Sequence, residues 1–284
     1  MTKLFKRKAQ LTIGKLGEEK QLSLEGFRIY FDIEMNDKKE TNTATISIYN
    51  LSEKTLGLLE QKNISISLKI GYEEEKELST IFIGNVIGLD QDFKETDVIT
   101  KITLKDGYFS LSDTKLSLSF SENSNTKQII DRIVGVLNLA KADYSSIPNY
   151  IYKQAFSCIG SPSKILDTVL ARIGYEWTIV NNVLIISQKN KTNSKIPAQF
   201  LSPKTGLVNK PKRFKEKSVK TKVKDDESVD GWEIESLILP SLQPKNLIKV
   251  ESSEIKGVFL IKSIRFVGDT HAAKWICAIK GIQQ

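Results

Sequence analysis

The tightest constraint on this chain is a two-residue alternation of apolar and polar side chains. In Thr43–Asn50, Ala44, Ile46, Ile48 and Asn50 fall on one face and Thr43, Thr45, Ser47 and Tyr49 on the other. Successive side chains of an extended strand point to opposite sides, so this run has one buried and one wet face. Its β-branched residues suit a pleated surface. Comparable runs occupy Phe27–Glu34, Ile64–Tyr72, Leu78–Leu89 and Val98–Asp106, with turn signals at Asn36-Asp37 and in the acidic cluster Glu73–Glu75. Between Leu51 and Asn63 the pattern changes: Ser52 is a fitting N-cap, and Leu51, Leu56 and Leu59 recur at helical spacing. Five or six strands and one helix in about 110 residues predict a small closed barrel or sandwich. Closure would remove the open edges of the sheet.

The middle of the chain obeys a different period. Asn125 or Ser124 is placed to cap a helix whose apolar face is Ile129, Ile130, Ile133, Val134 and Leu137. A polar stretch dotted with aromatics runs from Lys141 to Phe156. Ser161-Pro162 then opens a second helix, striped by Ile165, Leu166, Val169, Leu170 and Ile173, with Gly174 at its C′ position. Asn181-Asn182 predicts a type I′ turn joining strands Tyr175–Val180 and Val183–Ser187. The last third returns to strands at Trp232–Leu239, Leu247–Glu251, Val258–Phe266 and Lys274–Ile282, with turns expected at Asn246, at Lys256-Gly257 and from Gly268-Asp269. The expected architecture is α+β and mainly β: β-domains over 1–115 and 191–284 flank a compact α/β unit over 116–190.

At 284 residues the chain can bury substantial cores, and 40% hydrophobic with 27% charged residues is ordinary for a soluble globular protein. No apolar run approaches the roughly 20 residues that span a bilayer. The basic start MTKLFKRKAQ lacks the apolar segment of a secretory signal, so folding in a cytoplasm is expected. Cys158 and Cys277 lie far apart without CxxC spacing, which predicts neither a disulfide nor a zinc site.

Little in the sequence points to catalysis. The one histidine, His271, sits in GDTHAAKW, a loop before a strand, and no GxSxG, GxxxxGK[ST] or GxGxxG motif is present. Glu73, Glu74, Glu75 and Glu77 read as a solvated hairpin tip rather than a hydrolytic carboxylate pair. Charge is more informative. Between Lys204 and Lys224 nine basic residues face one acid, Glu216, and that strip accounts for the whole formal net charge of +8. Its candidate contacts are Lys210, Lys212, Arg213, Lys215, Lys217, Lys220, Lys222 and Lys224. They would meet DNA phosphates or an acidic partner, or form a solvated edge whose lysines discourage strand addition. Alternation in Ser218–Lys224 favours the edge, and Phe214 is the one aromatic there available for base stacking.

Three phrases carry a resemblance. Phe27–Thr55, with NTATISIYNLS, resembles the opening of phage baseplate hub and tail-tip proteins of the late control protein D type. Ser161–Ser187 is similar to their helix-hairpin unit, and Trp232–Ile282 to their final barrel, with Thr205–Pro211 matching its entry phrase. The matched positions are Asn42, Thr43, Tyr49, Asn50, Leu51, Pro240, Pro244, Gly257, Gly268, Asp269 and Trp275. Asn246, Phe259 and Ala272 depart from the pattern, standing where the family favours Gly, Tyr and Gly. The resemblance implies two tube-like barrels joined by the α/β unit. It implies a structural, cofactor-free homotrimer forming a pseudo-sixfold ring at the distal end of a virion tail, assembled in the host cytoplasm. Its partners would be the tail tube and central spike, with tape-measure and baseplate wedge proteins as further neighbours, and DNA would transit the lumen without specific binding. Related modules occur in type VI secretion spikes and contractile bacteriocins. A tail-associated peptidoglycan hydrolase and a DNA-binding protein acting through Lys204–Lys224 are the competing readings.

Overall fold

The structure, a computed structural model, describes residues 6–15, 17–18, 20–73, 77–141, 147–192, 197–216 and 229–284. Glu74 and Glu75, the strand expected at Ser218–Lys224, and Lys217, Lys220, Lys222 and Lys224 lie outside the described residues.

The first β region comprises β1 (Arg7–Gly14), β2 (Leu22–Glu25), β3 (Ile29–Asn36), β4 (Thr43–Tyr49), helix α1 (Glu53–Leu59), β5 (Ser65–Tyr72), β6 (Ser79–Lys94) and β7 (Asp97–Lys105). The middle holds α2 (Tyr108–Ser112), β8 (Leu116–Phe120), α3 (Thr126–Leu137), β9 (Ala140–Lys141), β10 (Phe156–Gly160), α4 (Pro162–Ala171), β11 (Tyr175–Val180) and β12 (Val183–Gln188). The last region is β13 (Gln199–Leu201), β14 (Lys212–Glu216), β15 (Val229–Leu237), β16 (Leu247–Glu251), β17 (Lys256–Asp269) and β18 (Trp275–Gln283).

Local chemistry explains most boundaries. The Ser52 side chain accepts from the Thr55 amide and starts α1. Asn125 caps α3 in a full capping box, exchanging hydrogen bonds with Gln128. Asn181 and Asn182 both have positive φ, as a type I′ turn demands. Three expectations need correction. α4 ends earlier than expected, its C-cap being Arg172, so Gly174 makes its left-handed turn two residues past the cap. Lys256-Gly257 is the start of β17. The turn lies at Ser252–Ile255, where the Ser252 hydroxyl accepts from the amides of Glu254 and Ile255 and closes the loop. Near Asn246 the positive φ belongs to Lys245, while the Asn246 side chain holds the turn by accepting from the Gln243 amide.

The two β regions are one sheet. Its strand order is β14-β15-β18-β17-β3-β4-β7-β6-β5-β1-β2, with β13 and β16 joining at β17. This path is open, with β14 and β2 at its ends, and no closed ring of pairings occurs among the described residues. The join is made by β17. Its first half pairs with β16, a bulge falls between Ile261 and Ser263, and its second half pairs with β3 from Ser263↔Asn36 to Asp269↔Tyr30. At the change of partner, Asp37 is buried between two lysines: Lys262, itself at the bulge, and Lys245, 3% exposed, with its Nζ 3.1 Å from Asp37 Oδ2. A charge removed from water needs such compensation.

One continuous core fills this sheet, from Leu11 through Ile46 and Leu104 to Phe266 and Ile279. A second core belongs to the middle region, where the apolar stripes of α3 and α4 meet Trp177, Ile179 and Leu184. Burial of each such isoleucine or leucine contributes roughly 1.5–3 kcal/mol.

Candidate assembly surface

Among the described residues no group of three or more His, Cys, Asp or Glu could hold a metal ion. His271 lies in an exposed turn with its Nδ1 2.9 Å from the Thr270 hydroxyl. Cys277 is buried beside Ser236, and burial pushes its thiol up to about 11. Cys158 is half-buried and its thiol is likewise raised by burial. Both cysteines are free. What the structure offers is a set of junctions and exposed features suited to assembly.

The matched residues from the two ends of the chain meet. Tyr49 closes β4 and Asp269 closes β17, and Arg28 bridges them, its guanidinium 4.8 Å from the Tyr49 ring centroid and its Nη2 2.9 Å from Asp269 Oδ2. The Asp269 carboxylate also accepts from the amides of His271 and Ala272 at 2.8 and 3.1 Å, tying the GDTH turn. Burial alone would raise its pKa, yet Arg28 and the two amides hold it below the ordinary carboxylate range. Gly268 has a packing reason: a Cβ there would lie 2.3 Å from Phe31 Cζ and 2.9 Å from Trp275 Cε3. Trp275, 1% exposed, meets Phe31 edge to face at 5.4 Å and donates from Nε1 to the Tyr72 hydroxyl, which donates to the Ile238 carbonyl. Arg7 of β1 clamps the same turn through the Ala272 and Ala273 carbonyls.

Asn42 seats the middle region on the sheet. Its Nδ2 donates to Asp106 Oδ2 at 2.9 Å and to the Ile179 carbonyl at 2.7 Å, while its backbone amide donates to Asp106 Oδ1. Thr178 donates to the Lys38 carbonyl, and Asn181 Oδ1 accepts from the Ile83 amide. Burial pushes the Asp106 carboxyl up to about 7 even though Asn42 and the Asn181 amide hydrogen-bond it. Asn50, in the left-handed region, pins the β6–β7 hairpin by donating to Asp97 and accepting from the Val98 amide. Thr43 is exposed at the start of β4, and Leu51 packs against the sheet core. Pro240 and Pro244 shape the loop before β16, and Gly257 pairs with Val250.

The described part of the basic strip is not one open patch. Lys212, Arg213 and Lys215 lie on β14 at the end of the sheet. Lys215 pairs with Asp230, Lys210 with Glu254, and the Arg213 guanidinium stacks 5.8 Å over Trp232. Sequence reasoning missed Arg7, Arg28, Tyr72 and Asp106, whose partners are distant in the chain.

Other chains share this fold. A tail protein from Neisseria meningitidis MC58 superposes with a TM-score of 0.67 at 10% identity, covering 99% of this chain and 97% of that one. The 43 kDa tail protein of prophage MuSo2 from Shewanella oneidensis gives 0.62 at 13% identity, covering 97% and 98%. An Escherichia coli component of the type VI secretion system, described as similar in structure to T4 bacteriophage tail proteins gp27 and gp5, gives 0.59 at 9% identity, covering 96% and 76%. No curated protein is detectably similar in sequence. A family model described as baseplate hub gp41 matches residues 8–250. The match runs from β1 through the seated middle region to β16, most of the chain, so the chain belongs to the baseplate hub gp41 family, a structural component of phage tails and baseplates.

Proposed function

We infer that this protein is the ring subunit at the distal end of the tail, where three copies surround a lumen and join the sixfold tube to the threefold spike. The observation that carries this reading is the β3–β17 ladder, which sets the N-terminal and C-terminal β regions edge to edge in one chain. If each region acts as one tube-like unit, three chains supply six, the number a sixfold tube requires. In this reading residues 1–115 and 191–284 are the tube-like units and 116–190 is a peripheral module. The ring is homotrimeric and non-catalytic, built in the host cytoplasm, with tape-measure and wedge proteins nearby and DNA passing through unread. Contacts between subunits are heterologous and close by rotation. Light scattering on the purified chain, followed by two-dimensional class averages, tests it. A mass near three times 32.0 kDa with a central hole supports the ring, and a stable compact dimer overturns it.

A further inference from the structure

The β6–β7 hairpin outruns its sheet. β5 pairs with β6 only to Asn85, and β4 pairs with β7 only back to Ile99. Beyond them the two strands pair with each other up to Lys94↔Asp97, tethered at one point by Asn50, whose amide donates to the Val98 carbonyl and whose side chain bonds Asp97 and the Val98 amide. At this tip Phe93 is 73% exposed, and the hairpin around it carries Asp90, Asp92, Glu95 and Asp97 against a single base, Lys94, which pairs with Asp92. A two-stranded ribbon carrying a bare aromatic ring is marginal in water. A single exposed apolar side chain is unremarkable; here it stands near the end of a projecting ribbon whose charged residues are predominantly acidic.

The middle region carries a complementary groove of about 400 Å³. Tyr150, Tyr152 and Phe156 form its floor as an aromatic ladder, with ring centroids 5.1 and 5.3 Å apart. Arg172 is held over that ladder, 5.1 Å from the Tyr152 centroid, and Lys153 stands at the side. Among the described residues no carboxylate lines the groove, and neither Lys153 nor Arg172 has an ion-pair partner. An aromatic ring flanked by acids therefore fits this groove in both packing and charge.

We propose that the Phe93 hairpin tip of one copy docks in the Tyr150–Phe156/Arg172 groove of the next copy. The inference rests on the ring reading above. Knob and socket lie on different parts of the same chain, so each docked pair leaves one of each free and only a closed ring uses all of them. Both features are exposed in the single chain, and the groove is large enough to receive a phenyl ring.

The test places p-benzoylphenylalanine at position 93 in a mixture of light and ¹⁵N-labelled chains, with irradiation followed by mass spectrometry. Links from residue 93 of one isotope to residues 150–156 or Arg172 of the other are expected. Phe93→Ala, an exposed position with no folding role, weakens self-association on the order of tenfold, the factor that ~1.4 kcal/mol represents. Lys153→Glu with Arg172→Glu weakens it comparably, and adding Asp92→Lys and Glu95→Lys restores part of the loss. A trimer by light scattering whose links from residue 93 fall elsewhere, or whose association ignores all these substitutions, overturns the docking and leaves the ring standing. A chain that gives neither ring nor inter-chain link overturns both.

Discussion

Asp106 makes the attachment of the middle region depend on pH, and the structure fixes the sign. Its carboxyl is buried at the end of β7, receives both nitrogens of Asn42, and is raised from 3.8 to about 7 because burial outweighs those hydrogen bonds. The folded state therefore holds a proton that the unfolded chain has released between about pH 4 and 7. Stability contributed by this group is present in full below the unfolded value and is lost as pH rises toward 7. One proton taken up on folding gives a slope of about 1.4 kcal/mol per pH unit, or about 4 kcal/mol across the window. Urea unfolding at half-unit steps from pH 4 to 8 measures this slope. Asp106→Asn removes the titration but also places an amide opposite the Asn42 amide, costing roughly 1–3 kcal/mol at every pH. The informative quantity is therefore the difference in slope between the two proteins, in which unlinked groups cancel. Parallel curves for the two proteins would refute the reasoning.

Gly268→Ala should destabilise by roughly 1–3 kcal/mol, since its Cβ would enter the Phe31 ring; an unchanged urea midpoint would mean that the ring moves freely. Tyr72→Phe leaves the buried Trp275 Nε1 without its hydroxyl acceptor and should cost about 1–3 kcal/mol, with a changed tryptophan emission spectrum. Asn125→Ala removes one side of the α3 capping box and should cost about 1 kcal/mol, with Asn125→Ser retaining most of the stability; equal losses in both variants would contradict a capping role.

Period and cap chemistry act within a few residues, so the sequence alone determined much of the local structure. Alternation placed β4 and β7, helical spacing placed the buried faces of α3 and α4, and Asn181-Asn182 specified its turn. The resemblance carried by Phe27–Thr55, Ser161–Ser187 and Trp232–Ile282 led to the family. Some strands were not recognised: β1 begins inside the basic N-terminal stretch, whose charge masked the alternation of Ala9, Leu11 and Ile13, β2 is only four residues long, and β8 and β10 place Ser117, Ser119 and Ser157 on exposed positions. The tertiary structure alone decided the rest. Nothing local in β17 says that it leaves β16 for β3 at Lys262, because a strand edge offers the same amides and carbonyls to any partner, and the choice is made by the cores on either side and the buried Asp37. The same holds for Arg28, which reads as one more exposed cation until folding brings Tyr49 and Asp269 to it. The pKa of Asp106 also follows from burial, a property of the assembled fold that no run of neighbouring residues encodes.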